Sequence, residues 1–323
     1  MHKGVDDLTI SRQPKPKVLV IGGSGYVGSH LVSQLVATGR LVTVLGRSIT
    51  PWYDLPDNVN YVIGDFSNLE MLIQLLDENQ EVIHLAYATV PNTSFDNPLA
   101  DLLQNLPPTV QLFSEAAHRG VRLILVSSGG TVYGDSATLP INESHATKPI
   151  SPYGVTKLTL ESYAYLYAVT HNLKFVCVRP ANAYGVGQRA FTGQGFIATA
   201  MASIMRREPI KVFGQLGAIR DYIYVSDLAS GIVSALEKGL QSETYNIGSG
   251  VGHSNIDIIE SMTPLMNEMG YDVTVEYLPE RLFDVKANVL DSTKLQAHTG
   301  WKSQIALDDG LRRTFEWLLT LKP

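Results

Sequence analysis

One cysteine in 323 residues, Cys177, excludes a disulfide within the chain and any zinc site built on thiolates. It stands in the apolar run Phe175-Val176-Cys177-Val178 and reads as a small core residue. Positive charge is also scarce. The 25 Lys and Arg against 31 Asp and Glu give a formal charge of −6, which provides no field to gather a phosphate backbone, so no nucleic-acid partner is expected. No run of about 18 apolar residues is available to cross a membrane. The opening MHKGVDDLTISRQPKPK lacks the apolar core of a signal peptide. Residues 1–16 are therefore expected to form a loose arm, and the protein to be cytoplasmic. The eight histidines fall at no metal-ligand spacing, so no metal is expected. Repeats and low-complexity tracts are absent.

What the chain does have is apolar content, 45% of its residues, arranged as alternating short runs and helical patterns. Lys17–Gly22, Leu41–Leu45, Asn60–Ile63, Glu81–Leu85 and Arg122–Ser127 read as strands. Helices are expected near Tyr26–Thr38, Leu69–Glu78 and Leu99–Arg119, then from about Pro152 to His171 ahead of a strand at Phe175–Arg179. This alternation predicts an α/β fold, a Rossmann-type doubly wound parallel sheet covered on both faces. Beyond it the pattern becomes irregular, with helices near Gly195–Arg207 and Asp227–Lys238. The expected division is a cofactor-binding domain over 17–180, with segments near 221–248 returning to it, and a smaller α/β substrate lobe over 181–323.

The first motif is Val18-Leu19-Val20-Ile21-Gly22-Gly23-Ser24-Gly25-Tyr26-Val27-Gly28. A strand, a tight glycine turn and a helix start follow in the order that lets backbone approach a pyrophosphate and aims helix N–H groups at it. Tyr26 and Val27 open that helix. The second strand ends Val44-Leu45-Gly46-Arg47-Ser48, with glycine where an acid would hold the adenosine ribose. Arg47 is placed to grip a ribose 2′-phosphate, which would select NADP; equally, it could stack on adenine or face water with NAD bound. Asp65, after the third strand, is placed to accept from the adenine amine, with Phe66 beside it.

Tyr153-Gly154-Val155-Thr156-Lys157 sets a phenol and an ammonium four residues apart on one helix face. The cation is expected to lower the tyrosine pKa toward the working range of an acid/base catalyst. The motif follows the fifth strand, whose end runs Ser127-Ser128-Gly129-Gly130-Thr131-Val132-Tyr133-Gly134, so these groups can converge on one nicotinamide.

Together with His84-Leu85-Ala86, Arg179-Pro180-Ala181-Asn182, Arg220-Asp221-Tyr222-Ile223-Tyr224-Val225-Ser226-Asp227, Tyr245-Asn246-Ile247-Gly248 and Gly300-Trp301-Lys302, these pieces make the chain resemble the extended short-chain dehydrogenase/reductases. Within them it is similar to the UDP-glucose 4-epimerase-like enzymes, over nearly the whole length from Lys17. The resemblance implies NAD(P), with Leu85, Ala86, Tyr87, Asn105, Ser127 and Pro180 on the cofactor side, and a nucleotide sugar, UDP-linked, in the second lobe. It implies that Tyr153 takes the proton of the C4 hydroxyl while Lys157 holds the nicotinamide ribose. Asn182 is implied near the sugar, Phe213 and Arg220 near the nucleotide, and Arg281 on the diphosphate. Relatives pair through the long helix as homodimers in a four-helix bundle, and Tyr163, Tyr165 and Tyr167 are read as core or interface packing.

The chain departs from the pattern at Gly129, where the family carries a serine or threonine that assists the tyrosine. Along an extended strand Ser127, Gly129 and Thr131 share one face, so Thr131 is the first replacement hydroxyl and Ser128 the second, should the glycines bend the chain. Neither Gly130 nor Thr131 is acidic, which disfavours the family's dehydratases and decarboxylases. Pro107 and Pro108 after Asn105 suggest a local break in the helix. Asn288 replaces a bulky tyrosine of hexose-specific relatives and is expected to leave room for a 2-acetamido group. The expected activity is a nucleotide-sugar 4-epimerase. A nucleotide-sugar reductase or dehydrogenase is the alternative; a non-catalytic cofactor sensor fits less well, because such proteins usually lose the Tyr–Lys pair.

Overall fold

The computed structural model describes residues 15–190, 195–280 and 285–321. Its first half runs β1 (Val18–Ile21), α1 (Tyr26–Ala37), β2 (Val42–Gly46), β3 (Asn60–Ile63), α2 (Leu69–Glu78), β4 (Glu81–His84), α3 (Pro91–Ser94), α4 (Pro98–Arg119), β5 (Arg122–Val126), α5 (Gly129–Val132), α6 (Pro152–His171) and β6 (Phe175–Pro180). Every residue of β1, β2 and β4 is buried, as are all but the ends of β5 and β6. Strands covered on both faces need continuous rather than alternating apolar residues, and runs such as VLVI and RLILV supply them.

These strands and β10 (below) form a seven-stranded sheet in the order β10-β6-β5-β4-β1-β2-β3, parallel throughout. The order reverses between β1 and β4, so a crevice opens beyond their carboxyl ends, which is where such sheets bind ligands. Later elements are β7 (Asn182–Tyr184), α7 (Phe196–Met205), β8 (Ile210–Phe213), β9 (Ile219–Tyr224), α8 (Val225–Lys238), β10 (Thr244–Ile247), β11 (Gly252–His253), α9 (Asn255–Glu268), β12 (Val275–Leu278), β13 (Ala287–Asn288), α10 (Thr293–Thr299) and α11 (Leu307–Thr320). The strands β7, β9, β11 and β13 make a small sheet, β8 and β12 another, and a separate apolar cluster of α7, α9 and α11 packs beneath them.

Two local expectations fail. The segment after β5 is not extended, since Gly129–Val132 closes into the helical turn α5 with Ser128 as its cap residue. The prolines do not break α4, which runs through Pro107 and Pro108. The two carbonyls they deprive of N–H partners, those of Leu103 and Gln104, belong to exposed residues that water can satisfy. No helix among the described residues is long and apolar enough to cross a membrane. Cys177 is fully buried and unbridged.

Candidate active site

The glycine turn sits at the switch between β1 and β4. The N–H groups of Leu85 and Ala86 both donate to the Ile21 carbonyl at 3.0 Å, which brings the two strand ends together. Gly22 adopts φ +87°, and a Cβ added to it would stand 2.8 Å from the Ala86 nitrogen. At Gly28 a Cβ would run into Gly22 and Gly23, so the helix lies directly against the turn. The start of α1 has Gly25 as its cap, no side-chain cap bond and no acid in its first turn. Its free N–H groups are thus available to an anion, and the turn fits a dinucleotide pyrophosphate. Val27 packs between the two large clusters, while the Tyr26 hydroxyl is buried without a partner.

Gly46 has a packing reason. A Cβ there would stand 2.5 Å from the Tyr61 hydroxyl and 2.7 Å from the Ser24 hydroxyl. The end of β2 is therefore packed against hydroxyls rather than a carboxylate, and Arg47 is exposed just past it. Asp65 and Phe66 follow β3. One Asp65 oxygen accepts from the Ser67 N–H at 2.9 Å, and the Phe66 ring lies 4.9 Å from that of His84. Burial and the nearby Lys157 charge push the His84 imidazole down to about 3, so this ring is a neutral packing element. No metal-binding cluster occurs among the described residues.

The Tyr153–Lys157 pair is placed by the start of α6, where Ser151 caps the Gly154 N–H at 3.1 Å and Pro152 occupies the first turn. The Lys157 ammonium donates to the Val126 carbonyl at 2.9 Å and stands 4.2 Å from the centroid of the Tyr87 ring. That ring meets Tyr153 edge-on at 4.7 Å. Lys157 is buried and pushed down to about 8 by desolvation, with nearby acids, Glu161 and Asp101 among them, opposing the fall. Tyr153 is raised, not lowered as the motif alone suggested. Burial is the main cause; a hydrogen bond with Ser128 works against it, and the Asp101 charge adds to it. At 5.7 Å from the ring centroid, the ammonium does not outweigh this desolvation.

The hydroxyls after β5 sort themselves clearly. Ser127 is bonded to Glu161. The Thr131 hydroxyl is buried with no partner, because the helical turn abolishes the strand parity that would have aimed it at Tyr153. Ser128 is the one whose hydroxyl bears on the Tyr153 phenol, holding its pKa down against burial. A Cβ on Gly129 would stand 2.9 Å from the Arg179 carbonyl and 3.1 Å from that of Pro180, and would also meet Leu290. The space a serine would need at 129 is already filled. Asn105 is buried on α4, accepting from the Ala88 N–H at 2.8 Å.

Beyond β6 the chain opens into a cavity of about 1320 Å³ lined by Asn182, Phe213, Arg220, Arg206, Lys211 and Lys286, among others. Its four cations, interspersed with Glu208, Glu276 and Glu280, can meet a diphosphate; Arg206, Lys211 and Lys286 were not anticipated from sequence because no spacing marks them. Asn288 is not on that wall. It is 1% exposed and donates its amide to the Gly129 carbonyl at 3.0 Å. Arg281 lies outside the described residues.

Strand order, glycine turn and Tyr–Lys pair define a dinucleotide-dependent enzyme of the extended short-chain dehydrogenase/reductase type. The model of the NAD dependent epimerase/dehydratase family matches residues 18–248, and the chain belongs to that family. A UDP-glucose 4-epimerase of Mycolicibacterium smegmatis is 31% identical over 309 residues, 93% of this chain and 98% of the relative. A dTDP-4-dehydro-6-deoxyglucose reductase of Escherichia coli is 32% identical over 308 residues, 92% of this chain and 96% of the relative. The solved UDP-glucose 4-epimerase of Thermotoga maritima with UDP-glucose superposes with a TM-score of 0.87 at 31% identity, covering 94% of this chain and 98% of that one.

Proposed function

We propose that this protein interconverts the C4 epimers of a UDP-linked hexose or N-acetylhexosamine. The observation that carries this reading is Tyr153 set edge-on to the Tyr87 ring that the Lys157 ammonium also faces, at the sheet mouth, in a chain whose second lobe offers a large cavity lined by both basic and acidic side chains. NAD, when bound, supplies the redox partner that takes a hydride from C4 and gives it back. Tyr153 exchanges the proton of the C4 hydroxyl, and Ser128 donates to the phenolic oxygen as negative charge develops on it. Lys157 contributes a buried positive charge 5.7 Å from the centroid of the Tyr153 ring. The 4-keto sugar so formed would have to turn within the site for the other C4 epimer to result. No acid stands at positions 129–131, so elimination of water lacks its acid and base.

The same reading assigns the cofactor to 17–180 with the returning stretch near 221–248, the nucleotide sugar to 181–323, and the protein to the cytoplasm. It also assigns a second copy to the face of α4 and α6. Leu99 and Leu103 on α4 are 65% and 54% exposed, and Leu166 and Val169 on α6 are 48% and 68% exposed. Their spacings suit an apolar seam between two pairs of helices. Leu166→Glu should convert a dimer into a monomer in sedimentation; a wild type that already sediments as a monomer would refute the pairing.

The function is tested by proton NMR of the purified protein with UDP-Glc, UDP-Gal, UDP-GlcNAc and UDP-GalNAc in turn, without added cofactor. Appearance of the epimer's anomeric signal is expected. The reductase reading, favoured by the Escherichia coli relative, requires turnover only on a 4-keto sugar and with stoichiometric consumption of free cofactor.

A further inference from the structure

Asp101, in the first turn of α4, is completely buried beside the site. Its carboxylate accepts from the Thr156 hydroxyl at 2.7 Å, from the Tyr87 hydroxyl at 3.3 Å and from the Thr89 hydroxyl. Among the described residues no ion pair is made to it. Its own carbonyl accepts from the Asn105 amide at 2.7 Å, which ties the next turn of α4 to the same point. Two of its three hydroxyl partners belong to the Tyr153–Lys157 machinery. Thr156 lies between the pair in sequence, and the Tyr87 ring is the surface on which Lys157 and Tyr153 both rest.

An asparagine oxygen could accept these hydroxyl bonds without burying a charge, and a buried carboxylate that lacks an ion pair is costly. Lys157 provides the compensating circumstance. The other nearby acid, Glu161, is committed to Arg179 at 2.5 Å. We infer that Asp101 is a positioning residue: it holds Tyr87 and Thr156 against the Tyr153–Lys157 pair and adds its negative charge to that of Glu161 near the buried ammonium. This rests on the 4-epimerase reading for its functional meaning, though not for its geometry.

The groups facing this cluster are Tyr87 and Thr89 from the segment after β4, Tyr153, Thr156, Lys157 and Glu161 from α6, His84 and Cys177 from the sheet, and Asn105 from α4 itself. A negative charge there stabilises the protonated forms of both members of the pair, and Asp101 acts upward on each. Removing it should lower both.

The test is Asp101→Asn, prepared with the nucleotide it carries. Two readouts are followed against pH: kcat for the UDP-sugar, and the ζ-carbon resonance of 13C-labelled tyrosine, with Tyr153 assigned as the signal missing from Tyr153→Phe. The upper limb of the kcat profile, set by Lys157, should move to lower pH by about one unit, and the Tyr153 signal should titrate lower by a similar amount. Asp101→Glu should return them toward wild type. A limb and a titration that stay in place, with or without a loss of rate, would leave Asp101 a purely structural residue and overturn the inference. Should Asp101→Asn not fold, Tyr87→Phe keeps the ring and severs only its bond to the carboxylate. A fall in kcat at nearly unchanged KM is expected there, because Tyr87 is no longer held against the pair, and an unmoved kcat counts against the proposal. If the wild type converts no sugar, the functional reading fails by itself, and the tyrosine titration still decides the role of Asp101.

Discussion

Asn288 and Gly129 stand 159 positions apart in sequence, and the side-chain amide of the first donates to the carbonyl of the second at 3.0 Å. This bond fastens β13, a strand of the small sheet, to the turn that carries Ser128. Position 288 is therefore occupied with holding the catalytic turn in place. Asn288→Ala should cost about 1–3 kcal/mol, since it strands a buried carbonyl. Thermal denaturation will show whether it does; an unchanged melting temperature would mean the bond is incidental.

Gly129→Ser installs the hydroxyl that the family resemblance leads one to expect at this position, yet its Cβ would meet the Arg179 and Pro180 carbonyls and Leu290. Backbone oxygens cannot step aside as a flexible side chain can. The variant should lose about 1–3 kcal/mol of stability through overpacking and gain no turnover. A faster enzyme of undiminished stability would show that the site can reshape around a serine.

Ser128 and Thr131 should separate cleanly. Ser128→Ala is expected to lower kcat by about 100-fold or more while leaving KM nearly unchanged, because its hydroxyl acts on Tyr153 as charge develops. Thr131→Val removes a buried hydroxyl that has no partner. It should leave kcat within about threefold and hold or raise stability. The opposite ranking in steady-state kinetics would return the role to Thr131.

The difference between these two hydroxyls shows what could be read from sequence and what could not. The glycine turn, the buried parallel strands and the Tyr-x-x-x-Lys helix declare themselves locally, through apolar runs, a Ser-Pro helix start and glycines at fixed offsets. The turn at Gly129–Val132 has no local signal. An apolar strand followed by Ser-Ser-Gly-Gly-Thr-Val reads as continuing extended, and only the contacts of Gly129 with the end of β6 and with Leu290 show why the chain folds back. Asn288 was misplaced for the same reason, its partner being far away in sequence. Asp101, by contrast, left a trace that was missed. Asp101, Asn105 and Thr109 recur every four residues on the otherwise apolar buried stripe of α4, and polar residues in such a stripe point to a site.

Lys157 sets opposite pH trends for activity and stability. Its folded-state value of about 8 lies below the ordinary 10.5, because burial disfavours the ammonium. Between those two pH values the unfolded chain holds a proton that the folded chain has released. The contribution of this group to stability therefore rises with pH across that window, by about 1.4 kcal/mol per pH unit, while activity that needs the cation falls above about pH 8. Denaturation of cofactor-free protein from pH 8 to 10 should show the rise in wild type and its loss in Lys157→Met. Parallel slopes in the two proteins would mean that Lys157 titrates at its ordinary value.

The buried Glu161–Arg179 pair is the structural anchor of the same helix turn. Glu161 lies one turn beyond Lys157, accepts from Ser127 at the end of β5, and is gripped by Arg179 through two nitrogens. Arg179 also donates to the Tyr133 hydroxyl at 2.8 Å, which in turn donates to Asn246 at 2.8 Å on β10. Removing one partner leaves the other charge buried with nothing to answer it, so Glu161→Gln or Arg179→Met should each cost about 3–5 kcal/mol. The double variant should cost clearly less than the sum of the two, because the second change discharges what the first left stranded. Denaturant titration of the four proteins measures that coupling. Strict additivity would mean that Ser127 and Tyr133, rather than the partner charge, satisfy each group, and that β6 and α6 are joined by neutral hydrogen bonds instead of an ion pair.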